Sequence, residues 1–538
     1  MKKTIPFLLL FVLLTSCQII DNSSSSSRYD SSFGTPSDSS HASTPDSSLT
    51  SQIPNSSSTS QIPNSSSSTN SSSTQMTGKQ ELTIVAINDF HGAVEQTDKY
   101  PGLTALGAKI RSIQAQNPEG TIVLSAGDSF QGSALSNLTH GKVVVDAMNA
   151  LSFEAMAIGN HEFDWGAEVI AKHHNGIEED GEANFPYLAC NIYENQGTLT
   201  QMDDSRVSWA DDYTIVERKG IRIGIVGWIE EGLESSIAVS RVQDYTFHSP
   251  METMRPIIRS LRKEEGCQLI IAVGHDASTS VNTSLASLTG EERVDYIING
   301  HSHSGYIEQK GSIYVSQAYS NGMAVSEAKI SYNIDTETVE TYSCPRLYYQ
   351  SEFRTMDDAE IGQMVQEVQS EFGTLINTPI VKSAISIDKD LALRWVSNVT
   401  KAAADVDFGV GNKAGVRGTF PIAAGTDMTV NIIYSLMPFD NNIKIGTVTG
   451  SNLKRIATNT SLVMDAGYDA SKIVDTKTYQ IAANSYVFDG YDLFQNYVTN
   501  AIDTGYGVRT ALLDDLYCWK DANRAWNPSQ GVLVERVW

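Results

Sequence analysis

Short apolar runs alternate with amphipathic stretches along residues 80–345. The runs 82–87 and 121–125 are brief and rich in β-branched residues, which predicts buried strands. The stretches 103–116 and 143–151 place apolar residues at helical spacing and predict helices. Strands that alternate with helices are typical of an α/β layered domain. The same pattern predicts further strands at 155–158, 221–226, 269–273 and 296–298.

A longer helical pattern follows this first domain. Within residues 353–375 the apolar side chains recur at helical spacing, which predicts one long amphipathic helix. We therefore predict three folded parts, which are a first domain over 80–345, a linker helix over 346–375 and a second domain over 376–538.

The N-terminal 79 residues have a different pattern. Lys2 and Lys3 precede the apolar run 5–14, which is typical of a secretory signal and too short to span a bilayer as a mature helix. Cys17 resembles the modified cysteine of a bacterial lipobox, so we expect a signal peptide over 1–17, lipid (palmitate) attachment at Cys17, and an extracytoplasmic location at the cell membrane. An ordinary secretory signal with an incidental cysteine is the alternative. Residues 18–79 consist mainly of Ser, Thr, Asn and Pro, which predicts a disordered tether.

Charge and cysteine content narrow the classes of function. The chain has 538 residues and a net charge of −25, which argues against a binder of nucleic-acid polymers because phosphate backbones select for Lys and Arg. Small anionic substrates stay compatible with this charge, since bound metal ions can supply local positive charge. Cys190, Cys267, Cys344 and Cys518 lack Cys-x-x-Cys spacing. Buried free thiols are favoured over disulfides, for which three pairings are open.

Polar side chains follow five of the predicted strands of the first domain. Because ligands gather at the carboxyl ends of strands in open α/β sheets, we expect these side chains to meet. A mixed Asp, His and Asn set suits a pair of divalent cations bridged by one carboxylate. The candidate ligands are Asp89, His91, Asp128, Asn160, His275, His301 and His303.

Five motifs occur in order along the same domain. They are Asn88-Asp-Phe-His-Gly92, Gly127-Asp128, Gly159-Asn-His-Glu162, Gly274-His275 and Gly300-His-Ser-His303. As a set they resemble the motifs of the calcineurin-like metallophosphatase fold. With Asn412-Lys-Ala-Gly-Val-Arg417 in the second domain, the chain resembles the bacterial and secreted 5′-nucleotidase family over residues 80–538. The resemblance implies a four-layer α/β/β/α metallophosphatase sandwich, a linker helix and a C-terminal α/β nucleotide-binding domain.

The resemblance also implies roles for the residues that match. Asp89, His91, Asp128 and His303 would bind one divalent metal ion, and Asp128, Asn160, His275 and His301 the other, with Zn, Mn or a similar metal in each site. Two such cations hold a phosphoryl group and activate a water for in-line attack. The family's counterpart of His161 stabilises charge on the transferring group, and Asp164 would orient its imidazole.

The match in the second domain concerns the substrate. Asn412 and Arg417 match residues on the phosphate side, Phe439 and Tyr486 match the two rings of a base clamp, and Asp492 matches a carboxylate that accepts hydrogen bonds from ribose. One departure is clear. If Asn398 is the aligned Asn, an Asp stands where the family has a phosphate-binding Arg. Its replacement is left open among Lys389, Arg394 and Lys413.

The family resemblance implies hydrolysis of nucleoside 5′-monophosphates to nucleoside and phosphate, with hinge closure near the linker helix. Two relatives of this activity are alternatives: a 2′,3′-cyclic-nucleotide 2′-phosphodiesterase/3′-nucleotidase and a UDP-sugar hydrolase. A non-catalytic surface lipoprotein that binds nucleosides or host ligands is the alternative from another class. The expected partners are a nucleotide and a membrane, with no nucleic-acid polymer, and the expected state is a monomer or a weak oligomer.

Overall fold

The computed structural model describes residues 77–195 and 205–537. These residues belong to one compact unit. The predicted signal peptide, Cys17 and residues 18–76 of the predicted tether lie outside the described residues. Within the described ranges, no helix combines the length and apolar character needed to cross a membrane.

The first part of the chain contains fourteen strands and seven helices among the described residues. Its strands are β1 (Lys79–Ile87), β2 (Thr121–Ser125), β3 (Phe153–Ala157), β4 (Tyr187–Leu188), β5 (Ile192–Glu194), β6 (Tyr213–Arg218), β7 (Ile221–Ile229), β8 (Tyr245–Phe247), β9 (Leu269–His275), β10 (Tyr296–Asn299), β11 (Gly305–Lys310), β12 (Ile313–Ala318), β13 (Ala324–Asn333) and β14 (Thr338–Tyr349). Its helices are α1 (Gly102–Gln114), α2 (Ala134–Leu138), α3 (Lys142–Ala150), α4 (Ala167–Lys172), α5 (Val239–Val242), α6 (Pro250–Lys263) and α7 (Thr279–Ser287).

Two six-stranded sheets pack face to face in this part. Their strand orders are β14-β13-β1-β2-β3-β4 and β11-β12-β10-β9-β7-β6. Ile84 and Ile122 of the first sheet share a buried cluster with Ile223 and Ile271 of the second. The outer face of the second sheet packs on α6, and that of the first sheet packs on α1 and α3. The predicted four-layer α/β/β/α sandwich is confirmed.

The second part of the chain carries its own sheet. Its elements are α8 (Ala359–Asn377), β15 (Val381–Lys382), α9 (Lys389–Ala404), β16 (Phe408–Asn412), β17 (Asp427–Met428), α10 (Val430–Leu436), β18 (Asn442–Thr449), α11 (Gly450–Ile456), β19 (Leu462–Met464), β20 (Thr478–Asn484), α12 (Ser485–Gly490), α13 (Asp492–Tyr497), β21 (Val498–Gly507) and α14 (Val508–Asp521). Five of the strands form a sheet of order β19-β16-β20-β18-β21. The buried apolar faces of α9 and α14 cover it.

The predicted linker helix over 346–375 has the wrong start. Residues 346–349 belong to β14, and the long helix α8 begins only at Ala359. Asp358 fixes that start, because its carboxylate accepts hydrogen bonds from the backbone N–H groups of Glu360 and Ile361. Ile361 then packs on α1 beside Gly107, where a Cβ atom would lie 3.0 Å from the Ile361 side chain.

Cys190 and Cys267 are free thiols. Cys190 and Cys267 are buried in the cluster under α6, and burial raises the pKa of Cys190 to about 12. A thiol held neutral in this way is a weak nucleophile and a weak metal ligand.

Candidate active site

The first group of candidate ligands comprises Asp89, His91 and His303. Asp89 and His91 follow β1, and His303 follows β10. Asp89 Oδ1 lies 3.3 Å from His303 Nε2, and His91 Nε2 lies 3.0 Å from the same nitrogen. Their ligand atoms lie within 4.8 Å of one another. Burial lowers the pKa of His91 to about 4, against the opposing effect of the Asp128 and Asp89 carboxylates. The imidazole is therefore neutral, as a metal ligand must be.

The second group comprises Asp128, His275 and His301, with Asn160 beside them. His275 Nε2 lies 3.2 Å from Asp128 Oδ2 and 3.2 Å from Asn160 Oδ1. His301 Nδ1 lies 3.1 Å from the same amide oxygen. Asp128 Oδ2 also lies 3.9 Å from His91 Nε2 in the first group. The carboxylate of Asp128 therefore stands between the two groups, as a bridging ligand would.

The chemistry of these donors fits two divalent cations. Asp89 and Asp128 are almost completely buried, at 0% and 1% exposure, and buried carboxylates are found paired or bound to metals. Four histidines complete the two clusters, an amide oxygen lies beside the second, and the Asp128 carboxylate of the second lies 3.9 Å from His91 of the first. Such a mixed set of imidazole and oxygen ligands suits zinc, manganese or iron better than calcium.

Left-handed backbone places several of these ligands. The φ angles of five candidate ligand residues are positive: Asp89 49°, His91 48°, Asp128 53°, His301 73° and His303 55°. Non-glycine residues rarely adopt this conformation, and it costs about 1–3 kcal/mol each time. These backbone conformations therefore lower the stability of the fold, and they turn the five side chains toward one point.

His161 lies beside the metal groups but outside them. Its Nδ1 lies 2.8 Å from Asp164 Oδ2, and its backbone N–H donates to Asp128 Oδ1 at 2.8 Å. Burial disfavours the charged imidazole, but the carboxylates of Asp164 and Asp128 outweigh it and raise the pKa of His161 to about 9. The side chain can therefore hold a proton, or stabilise negative charge, next to the metals.

Glu162 supports the site in a way that the sequence prediction missed. Its buried carboxylate accepts backbone hydrogen bonds from Asp128 at 2.8 Å, Ser129 at 2.8 Å and Gly159 at 2.7 Å. These bonds tie the loop after β2 to the loop after β3. The sequence shows Glu162 next to His161 in the motif. It does not show the three backbone N–H groups that bond to Glu162, because the fold brings them there.

A cavity of about 450 Å³ opens beside the second ligand group, and we call it the clamp cavity. Asn160, His161 and His301 line one end of it, while Phe439 and Tyr486 line the part that belongs to the second domain. Its other lining residues include Asp164, Asn412 and Arg417, together with Ser236, Ser240, Arg241 and Asp503, which the sequence did not indicate. The fold thus brings the two predicted clamp rings to the metal centre.

Asp492 does not join them. It is exposed at the first turn of α13 and is not among the residues that line the clamp cavity, where Asp503 of β21 is a lining carboxylate. Its predicted contact with ribose stays a prediction.

A second cavity, of about 480 Å³, opens on the other side of the centre, and we call it the lysine cavity. His91 and His303 of the first ligand group line it, together with Lys99 and Lys389. Lys389 is one of the three predicted replacements for the missing Arg. The other two, Arg394 and Lys413, line neither cavity. All three side chains are exposed.

Three side chains line both cavities and so form the wall between them: His161, Arg417 and Phe439. The Phe439 ring stacks on the His161 imidazole, with 5.5 Å between ring centroids and 22° between the planes. The Arg417 guanidinium lies 5.5 Å from the centre of the Phe439 ring. Residues of both domains thus meet at the wall.

The segment around Phe439 is bonded to the first domain on both sides. Pro438 O accepts hydrogen bonds from the Gln131 amide and, at 3.0 Å, from Asn137 Nδ2. Asp440 Oδ2 accepts one from Trp165 Nε1 at 2.9 Å. We call Pro438, Phe439 and Asp440 the junction segment. Nothing in the sequence pattern indicates these partners, which lie about 300 residues away along the chain.

Comparison with known proteins agrees with this geometry. A family model described as calcineurin-like phosphoesterase matches residues 82–305. A second model, described as 5′-nucleotidase, C-terminal domain, matches residues 360–461. The two matches fall on the two halves of the site, since the first covers all the candidate metal ligands and the second covers Asn412, Arg417 and Phe439.

Relatives from other organisms match a large part of the chain. The chain is 26% identical to a 5′-nucleotidase of Vibrio vulnificus over 69% of this chain and 74% of the relative. It is 24% identical to a cell wall protein of Listeria monocytogenes over 69% of this chain, and that match spans about half (55%) of the Listeria protein. The crystal structure of a 5′-nucleotidase precursor from Thermus thermophilus superposes with a TM-score of 0.65 over 85% of this chain and 98% of its own, at 18% identity, a likeness of fold.

Proposed function

We propose that this chain, which belongs to the 5′-nucleotidase family and is a metal-dependent phosphoric ester hydrolase, hydrolyses nucleoside 5′-monophosphates to nucleoside and phosphate. One observation carries the choice of a nucleotide. Phe439 and Tyr486 line the same cavity as Asn160, His161 and His301. Two aromatic rings can hold a nucleobase by its faces, so a base bound there would leave its phosphate within reach of the metal centre.

Each residue has a distinct part in this proposal. Asp89, His91, Asp128, Asn160, His275, His301 and His303 would hold the two cations, which polarise a phosphoryl group and make water a better nucleophile at neutral pH. Arg417 offers a fork of donors to the phosphate oxygens. His161, held by Asp164, stabilises the charge that develops on the leaving oxygen or donates a proton to it. Asn412 lines the same cavity, and we assign it to the phosphate side.

The experiment that tests the proposal is a substrate series with the metal-loaded protein. Phosphate release is measured from 5′-AMP, 3′-AMP, 2′,3′-cyclic AMP and, with a coupled phosphatase, from a UDP-sugar. We expect 5′-AMP to have the highest kcat/KM, and a chelator to abolish the activity. Fastest turnover of a cyclic nucleotide or a UDP-sugar would replace the proposal by one of these relatives. Tight nucleoside binding without turnover of any of the four would identify a binding lipoprotein.

We also propose that the protein works on the extracytoplasmic face of the cell membrane, anchored through Cys17. The support is the sequence of residues 1–17, with its charged start, apolar run and terminal cysteine. Replacement of Cys17 by Ala should move the protein from the membrane fraction to the soluble fraction. Ser16→Ala is the matched control, because it keeps a small residue before the cysteine. Equal membrane retention of both variants would disprove the anchor.

A further inference from the structure

Two buried asparagines lie side by side at one end of the second-domain sheet. Asn412 ends β16 and Asn484 ends β20, and these strands pair in parallel, so both side chains stand at the carboxyl ends of neighbouring strands. Each residue is only 4% exposed. Asn412 lines the clamp cavity, while Asn484 is not among the lining residues. Because buried polar groups are hydrogen-bonded as a rule, the partners of Asn484 show what its amide does.

The hydrogen bonds of Asn484 fix which way its amide points. Its Oδ1 accepts from the backbone N–H of Val487 at 2.8 Å, and a backbone nitrogen can only donate. The other polar atom of the amide is therefore Nδ2, which can only donate as well. Nδ2 lies 2.9 Å from the Asn412 amide and must meet the oxygen of that amide, Oδ1. A single backbone N–H thus sets the orientation of both amides.

This orientation decides what Asn412 offers to a bound molecule. Because Asn484 bonds to its Oδ1, the group that points elsewhere is Nδ2, which carries two N–H donors. Among the described residues no acceptor bonds to this group, and Asn412 lines the clamp cavity. A Cβ atom on Gly415 would lie 2.5 Å from Asn412 Oδ1, so the glycine leaves room for the pair of amides. Asn412 can therefore donate to the acceptor oxygens of a phosphate, as the Arg417 guanidinium can.

Asn484 also caps the helix that carries one ring of the base clamp. The bond from Val487 makes Asn484 the N-cap of α12, and Tyr486 of that helix lines the clamp cavity. An aspartate would cap the helix as well as an asparagine does. An ionised aspartate could not donate to Asn412, however, so only the bond between the two amides requires an asparagine.

We propose that Asn484 is a positioning residue, which orients the Asn412 amide so that its N–H donors face the phosphate of the substrate. The inference rests on the proposed function, because that function places the phosphate beside Asn412. It adds a residue that touches neither the substrate nor the metals but sets the affinity of the site for the phosphate.

The exchange Asn484→Asp tests this with the metal-loaded protein at pH 8, where the new carboxyl group is ionised. The variant keeps the shape of the side chain and the cap of α12, but its second oxygen would face Asn412 Oδ1. The Asn412 amide then has to turn over, which points its oxygen at the phosphate. We expect KM for 5′-AMP to rise about tenfold or more, since a hydrogen bond to a charged group is lost. The inhibition constant of adenosine, which lacks the phosphate, should stay close to the wild-type value.

Two further variants make the test specific. Asn484→Ala also removes the cap of α12, so it should lower the melting temperature more than Asn484→Asp does. It should nevertheless raise KM for 5′-AMP less, because the Asn412 amide can still turn its donors toward the phosphate. A purely structural role of Asn484 would give the two variants the same order in both measurements. Asn527→Asp is the matched control, since Asn527 caps a turn and lines neither cavity, and it should keep the wild-type KM.

The possible outcomes distinguish a failure of the inference from a failure of the proposed function. A wild-type KM in Asn484→Asp, or an equal rise in KM for 5′-AMP and in the inhibition constant of adenosine, overturns the inference. A wild-type protein that does not hydrolyse 5′-AMP overturns the proposed function instead. In that case the Kd of AMP, measured by calorimetry, takes the place of KM. Weaker AMP binding by Asn484→Asp with unchanged adenosine binding would support the orientation, and equal AMP binding by the two proteins, or none, would overturn it.

Discussion

His161 is the residue at which the two cavities, the two domains and the metal groups meet. Its imidazole is held by Asp164 at 2.8 Å and lies under the Phe439 ring. In the proposed function it acts on the leaving oxygen and binds no metal. We therefore expect His161→Ala to lower kcat about 10²–10⁴-fold while the purified protein keeps its metal content, measured by mass spectrometry.

A second variant separates the loss of the His161 imidazole from the loss of its stacking contact with Phe439. Phe439→Leu removes the same ring contact but leaves the imidazole and Asp164 in place. Phe439→Leu should mainly raise KM, since Phe439 belongs to the proposed base clamp. Wild-type kcat in His161→Ala, or loss of metal from it, would refute the role given to His161.

His173 provides a second residue-scale prediction, which concerns stability. It is buried, with Nδ1 2.8 Å from the Tyr187 hydroxyl and Nε2 3.0 Å from His140 O. Burial lowers its pKa from 6.5 to about 4, so the unfolded chain binds this proton more readily than the folded one. The stability that depends on neutral His173 is therefore fully present above pH 6.5 and is lost as the pH falls toward 4.

The measurement compares wild type with His173→Asn by urea unfolding at pH 7 and pH 5. The stability advantage of the wild type should be roughly 2 kcal/mol larger at pH 7 than at pH 5. His174→Asn, at an exposed position next to it, is the control and should show no such change. An advantage independent of pH would contradict the prediction.

The positions of the candidate metal ligands could be predicted from the sequence because each one follows a recognisable strand. Asp128, for example, comes three residues after the apolar strand β2. What could not be predicted is how these residues reach one another. The positive φ of Asp89 and His303 and the three backbone bonds of Glu162 depend on neighbours distant in the chain. Local sequence patterns carry no information about them.

At the scale of elements, the start of α8 shows how one side chain sets a boundary. Asp358 Oδ1 accepts from the N–H groups of Glu360 and Ile361 at 3.1 and 3.0 Å, and Asp358 Oδ2 lies 2.7 Å from Arg111 Nε of α1. Asp358→Ala should lower the free energy of unfolding by about 1–3 kcal/mol, since it removes the cap and leaves the partly buried Arg111 without this partner. Urea unfolding measures the loss.

Asp358→Asn is the informative comparison, because asparagine caps helices as well as aspartate does. It should lose less stability than Asp358→Ala. Equal losses in the two variants would assign the effect to the ion pair with Arg111 rather than to the cap.

The elements of the first domain follow the hydrophobic pattern closely, but the long helix after it does not begin where the pattern placed it. The strand at 121–125 has the predicted ends, because its five residues are all buried and the loop that starts with Ala126-Gly-Asp128 follows it. The linker bounds of 346–375 included residues 346–349, which pair with β13 as an edge strand. The helical pattern itself started at residue 353, and α8 begins at Ala359, after its Asp358 cap.

At the scale of the whole molecule, the junction segment joins the two domains next to the reacting centre. Pro438 and Asp440 accept hydrogen bonds from Gln131, Asn137 and Trp165 of the first domain. Arg509 of the second domain pairs with the Asp440 carboxylate as well. These bonds hold Phe439 against His161, so the shape of both cavities depends on how the domains are joined. The hinge that we expect near α8 would have to break them to open the site.

Trp165→Phe tests that dependence with little change in packing. It removes one hydrogen bond to a carboxylate, which is worth about 1.5–3 kcal/mol, and so should raise the population of domain arrangements without this contact by about tenfold or more. We expect a larger radius of gyration by small-angle scattering in the absence of substrate, and a lower kcat/KM for 5′-AMP. Trp209→Phe is the control, since that indole packs on Phe163 and Tyr245 within the first domain. If Trp165→Phe matches wild type in both measurements, the junction segment does not control closure, and the two cavities keep their shape without it.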